Sequence, residues 1–164
     1  MSGAVAGLIG SLKAVAVSAP TNIITNPSFT VNLNGWTSYG TEVRQTIEFR
    51  SAPACYNTGF SEDFGAIAEY TQAGALTVGS SYSLSLWIRN AGGAQTFGIS
   101  MTLGTSTTFF NSASYSQSTS YQYIKFENQL CTGNSNFSFY IYGGNGIGFE
   151  IDDVSLVLGA TAAP

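Results

Sequence analysis

The most constraining feature of this chain is a long apolar run close to its C-terminus, residues 148–158. Alternate residues from Val154 to Leu158 are apolar and share one face of a strand. The adjacent carboxylates Asp152 and Asp153 precede them, where the strand leaves a loop. A strand this apolar and this close to the C-terminus must pair with a segment that comes earlier in the chain. The best earlier candidate is the segment 22–29, whose apolar residues end in an Asn-Pro turn.

The pairing of these two ends predicts how the chain is divided. Residues 22–159 are expected to form one domain closed by its first and last strands, which suits a chain of 164 residues. Residues 1–21 are expected to form an apolar N-terminal arm, and residues 160–164 a short tail.

Between the two ends, the pattern is that of β-structure. Alternating or continuous apolar residues bounded by turn signals predict strands within 41–50, 66–72, 82–88, 97–103, 121–130 and 137–142, and the polar connection 105–120 has room for a short strand. In the first of these, Val43, Gln45, Ile47 and Phe49 are expected on one side. No convincing interior helix is present. The pattern predicts an all-β, antiparallel two-sheet sandwich with an extended N-terminal arm.

Composition excludes several functions. Only 9% of the residues are charged, against about 25% in an average soluble domain. Five Lys and Arg against nine Asp and Glu leave no basic patch for nucleic acid. The chain has no histidine, which removes Ser-His-Asp catalysis and histidine-based zinc sites. The adjacent pairs Glu62-Asp63 and Asp152-Asp153 point to opposite faces of a strand, so neither forms a hydrolytic cleft by itself. We therefore expect a protein that is not an enzyme.

Four motifs appear in an order that resembles a known family. They are Asn26-Pro27-Ser28-Phe29, Asn34-Gly35-Trp36, the strand 82–88 and the run 149–156. The chain resembles the galactose-binding-like jelly-roll family, to which many carbohydrate-binding modules belong. It is also similar to bacteriophage virion surface proteins, decoration or tail components that carry a short Gly/Ala arm before such a domain. The resemblance implies a jelly-roll β-sandwich and, as a possible ligand, a glycan.

The same resemblance implies a structural calcium ion that joins the first and last strands. In the family, its ligands include an acidic residue just after the Asn-Pro-Ser-Phe motif and one residue of the Asp-Asp pair. Asp152 matches the second position, but Thr30 stands at the first. Because calcium prefers several oxygen ligands, the alternative is that Asp152 caps backbone amides in a turn.

Sugar binding requires aromatic rings that stack on a pyranose, with polar groups beside them. Nine Tyr, eleven Phe and two Trp exceed what one core needs, so some are expected on the surface. The candidates project from strand faces opposite the apolar rows or lie in loops at one end: Trp87, Arg89, Tyr140, Tyr142, Tyr39 and Tyr56, with Trp36 and Phe60 beside the last two. The alternative for each is ordinary packing in the core or between subunits, which we favour for Trp36.

The two cysteines, Cys55 and Cys131, each lie where a strand meets a loop. A disulfide between them is one expectation, and two unpaired, partly buried thiols are the other, because sequence does not give the distance between their Cα atoms.

The first 20 residues are apolar and rich in Gly and Ala. They lack the features of a secretory signal, since no basic residue precedes the apolar run and Lys13 interrupts it. They are also too broken to span a bilayer. We expect them to dock on another copy of the chain or on a capsid or tail subunit through Leu8, Ile9, Leu12, Val15 and Val17. The alternative is an arm folded against its own domain.

Two functions remain. The first is a non-catalytic structural protein on a virion surface, built on a carbohydrate-binding jelly-roll. The second is a secreted, stand-alone carbohydrate-binding module, located outside the cell. Polysaccharide is an expected partner in both, and nucleic acid and membranes are expected in neither.

Overall fold

The computed structural model describes residues 20–39, 43–58, 65–90, 97–111, 118–143, 148–159 and 161. These residues contain ten strands and no helix: β1 Trp36–Ser38, β2 Val43–Gln45, β3 Cys55–Asn57, β4 Gly65–Gln72, β5 Ser81–Asn90, β6 Gly98–Leu103, β7 Ser106–Asn111, β8 Gln122–Leu130, β9 Phe137–Gly143 and β10 Phe149–Leu158. Accordingly, this part of the chain has no helix that would cross a membrane.

The strands form two five-stranded sheets with every strand pair antiparallel. Sheet A has the order β1-β4-β9-β6-β7, and sheet B has the order β2-β3-β10-β5-β8. The prediction of an all-β, antiparallel two-sheet sandwich is therefore confirmed. The strand β7 lies inside the connection 105–120, where the sequence left room for one.

The core lies between the two sheets and is built from alternate residues of both. In β9, Phe137, Phe139 and Ile141 are buried while their neighbours are half-buried. Aromatic rings close one end of the core: the Trp36 ring lies 5.2 Å from the Phe29 ring and 6.1 Å from the Phe139 ring, both edge to face. Trp36 thus packs against the core, as the sequence favoured.

The N-terminal segment is attached to β10, as the sequence predicted, although it does not form a regular strand. The Ile23 amide donates to the Leu156 carbonyl at 2.8 Å, and the Val154 amide donates to the Pro27 carbonyl at 3.0 Å. The Asn22 side chain adds two hydrogen bonds to β10: it donates to the Val154 carbonyl at 3.0 Å and accepts from the Leu156 amide at 2.9 Å. The two ends of the domain are therefore held together by backbone groups that would otherwise be unpaired.

The predicted strand across 41–50 is wrong in its length. Of the described residues 43–50, only Val43–Gln45 are regularly paired, and Ile47, which was expected on the buried side, is 85% exposed. The cause is tertiary: the amides of Arg50 and Ser51 donate to the Asp152 carboxylate at 3.1 and 2.8 Å. These hydrogen bonds hold the chain after β2 against sheet B instead of continuing the strand.

The end of β8 departs from regular alternation. Alternation along 121–130 predicts Ile124, Phe126 and Leu130 on one side; Ile124 and Phe126 are buried, but Leu130 is 51% exposed. The register with β5 shifts between Tyr82 and Leu84, and Asn128 on β8 has a positive φ of 57°. This irregularity turns Leu130 away from the core.

Of the two alternatives for Cys55 and Cys131, the structure has the unpaired thiols and not the disulfide, and both residues are buried. The Cys55 thiol donates to the Glu48 carbonyl at 3.1 Å, and the Cys131 thiol donates to the Asn134 carbonyl at 3.3 Å. The Cys131 amide donates a hydrogen bond to the Ser80 carbonyl, just before β5, which pairs with the C-terminal end of β10. Cys55 belongs to β3, which pairs with the N-terminal end of β10. Several strand residues at about 3.3 Å each separate the two sites, far beyond the reach of a disulfide.

We expect unreduced, denatured protein to show two reactive thiols per chain in a thiol-reagent assay. Folded protein should react slowly, because both sulfurs are buried and burial raises the pKa of Cys55 to about 12, which leaves little thiolate. A chain whose thiols appear only after a reductant is added would contradict this structure and restore the disulfide.

Candidate functional site

The outer face of sheet A carries a row of outward-facing aromatic side chains. Because the inward residues of β9 are Phe137, Phe139 and Ile141, its Tyr140 and Tyr142 point outward. The register then places Ser100 of β6 beside Tyr140, and Phe109 of β7 beside Ser100. Phe109 is 57% exposed.

The three rings form one surface, which we call the aromatic platform: Tyr140, Tyr142 and Phe109. The ring centroids of Tyr140 and Tyr142 lie 6.1 Å apart with an interplanar angle of 30°, and those of Phe109 and Tyr142 lie 5.7 Å apart. Exposed apolar surface that is continuous in this way is typical of a binding site.

One carboxylate lies at the edge of the platform. Glu69 of β4 pairs directly with Tyr140 of β9, and the Tyr39 hydroxyl donates a hydrogen bond to its carboxylate. A hydrogen bond with Glu69 raises the pKa of Tyr140 to about 12, and the same interaction raises the pKa of Tyr39. Both phenols are therefore neutral donors at physiological pH, held in place by one acceptor.

A cavity of about 370 Å³ adjoins the platform. Its walls come from neighbouring strands and turns and are rich in hydroxyl and amide groups: Thr71, Gln72, Ala73, Thr102, Gly104, Asn136, Phe137 and Ser138. Thr71, Ser138 and Thr102 are paired across three strands, two residues along from the row that holds Tyr140. The cavity is thus within roughly 7 Å of the platform along the strands.

The two sheets differ sharply in charge. Among the five strands of sheet A, Glu69 is the only charged residue. All four cations in the described part of the chain lie on sheet B or in the loop that crosses it: Arg44, Arg50, Arg89 and Lys125. The platform and its cavity therefore form a nearly neutral face that combines aromatic rings with hydroxyls and amides.

Comparison with family models places this geometry in a known family. The model described as "Carbohydrate binding domain" (CBM_4_9) matches residues 21–150. This chain belongs to that family of carbohydrate-binding domains. The match covers most of the sequence and both motifs around Asn26 and Trp36. No curated protein matched the chain.

Solved structures of other carbohydrate-binding modules have the same fold. The C-terminal family 22 module of Clostridium thermocellum Xyn10B is 12% identical, with a TM-score of 0.63 over 84% of this chain and 94% of that one. The CBM22-1 xylan-binding domain of Paenibacillus barcinonensis Xyn10C is 12% identical, with a TM-score of 0.61 over 90% of this chain and all of that one.

A bacteriophage protein is also similar in fold. The enzymatically active domain of tailspike protein 4 from bacteriophage CBA120 is 14% identical, with a TM-score of 0.62 over 84% of this chain. The likeness involves 21% of that chain, so it concerns one domain of the tailspike structure.

The structure separates the residues that the sequence proposed for this carbohydrate-binding domain. Tyr140, Tyr142 and Tyr39 come together on sheet A. Tyr56 is fully buried in the core, because β3 turns it inward between the two sheets. Phe60 and the five apolar residues of the arm, Leu8, Ile9, Leu12, Val15 and Val17, lie outside the described residues.

Trp87 and Arg89 lie on the opposite face of the domain, on sheet B. The Arg50 guanidinium covers the Trp87 ring at 4.1 Å from its centroid. Arg89 bonds the carboxylates of Glu150 and Glu48, each at 2.5 Å. Burial lowers the pKa of Arg89, but these two hydrogen bonds outweigh it and raise the pKa overall. Both residues are thus used in contacts within the domain and are not part of the platform.

Sequence reasoning missed Glu69 and Phe109. Glu69 interrupts an apolar strand between two inward residues, Ala68 and Tyr70, which is the signal that could have marked it as an outward polar group. Phe109 and Phe110 are adjacent on a strand, so one of them must point outward. The sequence could not show which strands would lie beside them.

Asp152, the predicted calcium ligand, is fully buried and accepts backbone hydrogen bonds. Its donors are the amides of Arg50, Ser51 and Asp153, at 3.1, 2.8 and 2.8 Å. Burial raises its pKa, and the bond from Ser51 opposes that rise. In the described ranges there is no group of three or more cysteine or acidic side chains arranged to hold a metal ion. This arrangement is the capping alternative that the sequence left open.

We expect Tyr140 to titrate near pH 12 rather than at its ordinary value of 10.0, and the substitution Glu69→Gln to move it back toward 10. Because the folded-state pKa is the higher one, the contribution of Tyr140 to stability is complete below pH 10 and is lost as the pH rises toward 12. Ultraviolet titration of the tyrosinate band, with Tyr140→Phe to identify the signal, measures the shift. An unchanged titration in Glu69→Gln would contradict the hydrogen bond.

Proposed function

We propose that this domain binds a neutral polysaccharide chain on the outer face of sheet A. The observation that carries the proposal is the aromatic platform beside a cavity of about 370 Å³ that is lined in part by hydroxyl- and amide-bearing residues. Aromatic faces stack on the C–H faces of sugar rings, while hydroxyl and amide groups bond the sugar hydroxyls. The platform offers the first kind of contact, and Thr71, Thr102 and Ser138 offer the second.

The charge of this face favours a neutral sugar over an acidic one. Its one charged group is the Glu69 carboxylate, and the strands of sheet A carry no Lys or Arg to pair with a uronate or a sulfate. Modules of similar fold are described as xylan-binding, or were solved with β-1,4-galactotriose. Xylan and β-1,4-galactan are therefore the first ligands to test.

Binding without hydrolysis is the activity that this face supports. Glycoside hydrolysis ordinarily requires two carboxyl groups on either side of the scissile bond, about 5–10 Å apart. On the strands of sheet A the described residues supply only Glu69, which already accepts hydrogen bonds from two tyrosines. Glu69 acts here as an acceptor that positions Tyr39 and Tyr140.

We expect Tyr142→Ala to weaken binding to its polysaccharide by at least about tenfold, or roughly 1.4 kcal/mol, because it removes the central ring of the platform. Isothermal titration calorimetry against xylan and galactan oligosaccharides measures the change. The matched control is Tyr123→Ala, since Tyr123 is a half-buried tyrosine on sheet B whose ring lies 5.1 Å from Trp87.

Equal loss of binding in both tyrosine variants would show a general effect on folding and would not support the platform. Loss in Tyr123→Ala alone would move the site to sheet B. A wild-type domain that binds glucuronate-rich or sulfated glycans better than neutral ones would overturn the choice of ligand class.

We also propose a finer role, in which the domain is a structural component of a virion surface, with the arm 1–21 docking on capsid or tail subunits. Its support is the apolar sequence of the arm. The alternative is a stand-alone module that works outside the cell. Sugar binding by the platform is compatible with both.

The two roles differ in what the arm does. If the arm is an assembly element, the full chain should form oligomers in light scattering, and a variant with Ser at Leu8, Ile9, Leu12, Val15 and Val17 should be a monomer. Both proteins should bind polysaccharide equally. If the full chain and the Ser variant are both monomers, the stand-alone role is the one that remains.

A further inference from the structure

The resemblance noted in the sequence implies a calcium ion between the first and last strands, but the donor atoms at that place are already used. Asp152 is fully buried and its two oxygens accept three backbone amides. Calcium needs six to eight oxygen ligands at about 2.3–2.6 Å, and oxygens directed at N–H groups are not free to supply them.

The neighbouring carboxylate is used as well. Asp153 accepts hydrogen bonds from the hydroxyls of Ser28 and Ser51, at 2.8 and 2.6 Å. Its second oxygen forms an ion pair with the Arg50 guanidinium at 2.6 Å. Asp153 is therefore linked to the N-terminal segment directly, through the Ser28 hydroxyl, and not through a calcium ion.

Arginine also occupies the carbonyl oxygens next to the Asn-Pro-Ser-Phe motif. The Nε atom of Arg44 donates to the Phe29 carbonyl at 2.6 Å, and its Nη2 atom donates to the Thr30 carbonyl. The rigid fork of the guanidinium thus spans two successive carbonyls, which is geometry that a single point charge on a lysine does not offer. Thr30 itself has no carboxylate to contribute.

Both arginines belong to one segment, residues 43–51, which we call the strap. It begins as β2, pairs with β3, and then crosses toward β10. Its two guanidinium groups meet the N-terminal segment at Phe29 and Thr30 and meet β10 at Asp153. The strap therefore links the same two parts of the chain that the family links through a metal ion.

We propose that Arg44 and Arg50 replace the structural calcium ion of the family, so that this domain closes its first and last strands with its own cations. The positive charge that a metal would bring is supplied by the two guanidinium groups, and the hydroxyls of Ser28 and Ser51 supply the remaining contacts to the carboxylates. The domain consequently folds and keeps its stability in calcium-free or chelating surroundings. This inference does not depend on the identity of the glycan.

The first experiment measures the thermal unfolding of the full wild-type chain in EDTA and in millimolar calcium chloride. If calcium bound this site, a free calcium concentration of about a hundred times its Kd would raise the Tm of a domain of this size by roughly 5–10 °C. We expect no difference between EDTA and calcium. A rise of several degrees in calcium would overturn the proposal, and this result does not depend on any variant.

The second experiment uses variants. Arg44→Gln should lower the Tm by several degrees, whereas Lys125→Gln, which removes an exposed cation from sheet B, should leave it nearly unchanged. Equal Tm values for Arg44→Gln and Lys125→Gln would show that the arginine carries no such role.

Discussion

The buried carboxylate of Asp152 determines how the outer face of sheet B is closed. A carboxylate without solvent is costly unless its oxygens are hydrogen-bonded, and the amides of Arg50, Ser51 and Asp153 meet that requirement. Those bonds end β2 after three residues and hold the following chain against the sheet. Arg50 is thereby positioned over Trp87 and beside Asp153.

The position of the strap on sheet B makes the two outer faces of the domain unlike. Sheet B carries the cations of the described chain and most of its acids, joined in pairs such as Arg89 with Glu48 and Glu150. Because these charges are partly buried, breaking an ion pair would leave one charge without a partner, which is costly. This face is therefore poorly suited to exchanging those contacts for contacts with a ligand. Sheet A, with Glu69 as the sole charge on its strands, carries outward-facing aromatic rings, of which Phe109 is exposed and Tyr140 and Tyr142 are half-buried.

Both sheets carry aromatic rings on their outer faces, but those of sheet B, such as Trp87 and Tyr123, lie beside cations, whereas those of sheet A lie on a nearly neutral face. Phe109, Tyr140 and Tyr142 approach one another from neighbouring strands and differ from core residues only in facing water. Glu69 fixes two phenols of this face without adding a second charge. Such a face is preorganised, which reduces the conformational entropy that the protein loses when it binds a sugar chain.

Local sequence patterns were sufficient for the class of fold. Strands such as 82–88 and 137–142 alternate with period two, turn residues separate them, and the apolar C-terminal run required the partner it has at residues 22–27. The same alternation correctly predicted that Tyr140 and Tyr142 point away from the core. No local pattern shows which strands pair with each other. Trp87 and Arg89 were therefore grouped with those tyrosines although they lie on the other sheet.

The site itself was decided by long-range contacts. Glu69, Tyr140, Ser100 and Phe109 become neighbours only through the order β4-β9-β6-β7, which joins residues up to 71 positions apart in sequence. In the same way, Arg44 reaches Phe29 and Arg50 reaches Asp153 only because the strap crosses sheet B. Sequence alone determined which side chains leave the core, because parity along a strand is a local property; the tertiary structure decided which of them meet, because sheet order is not.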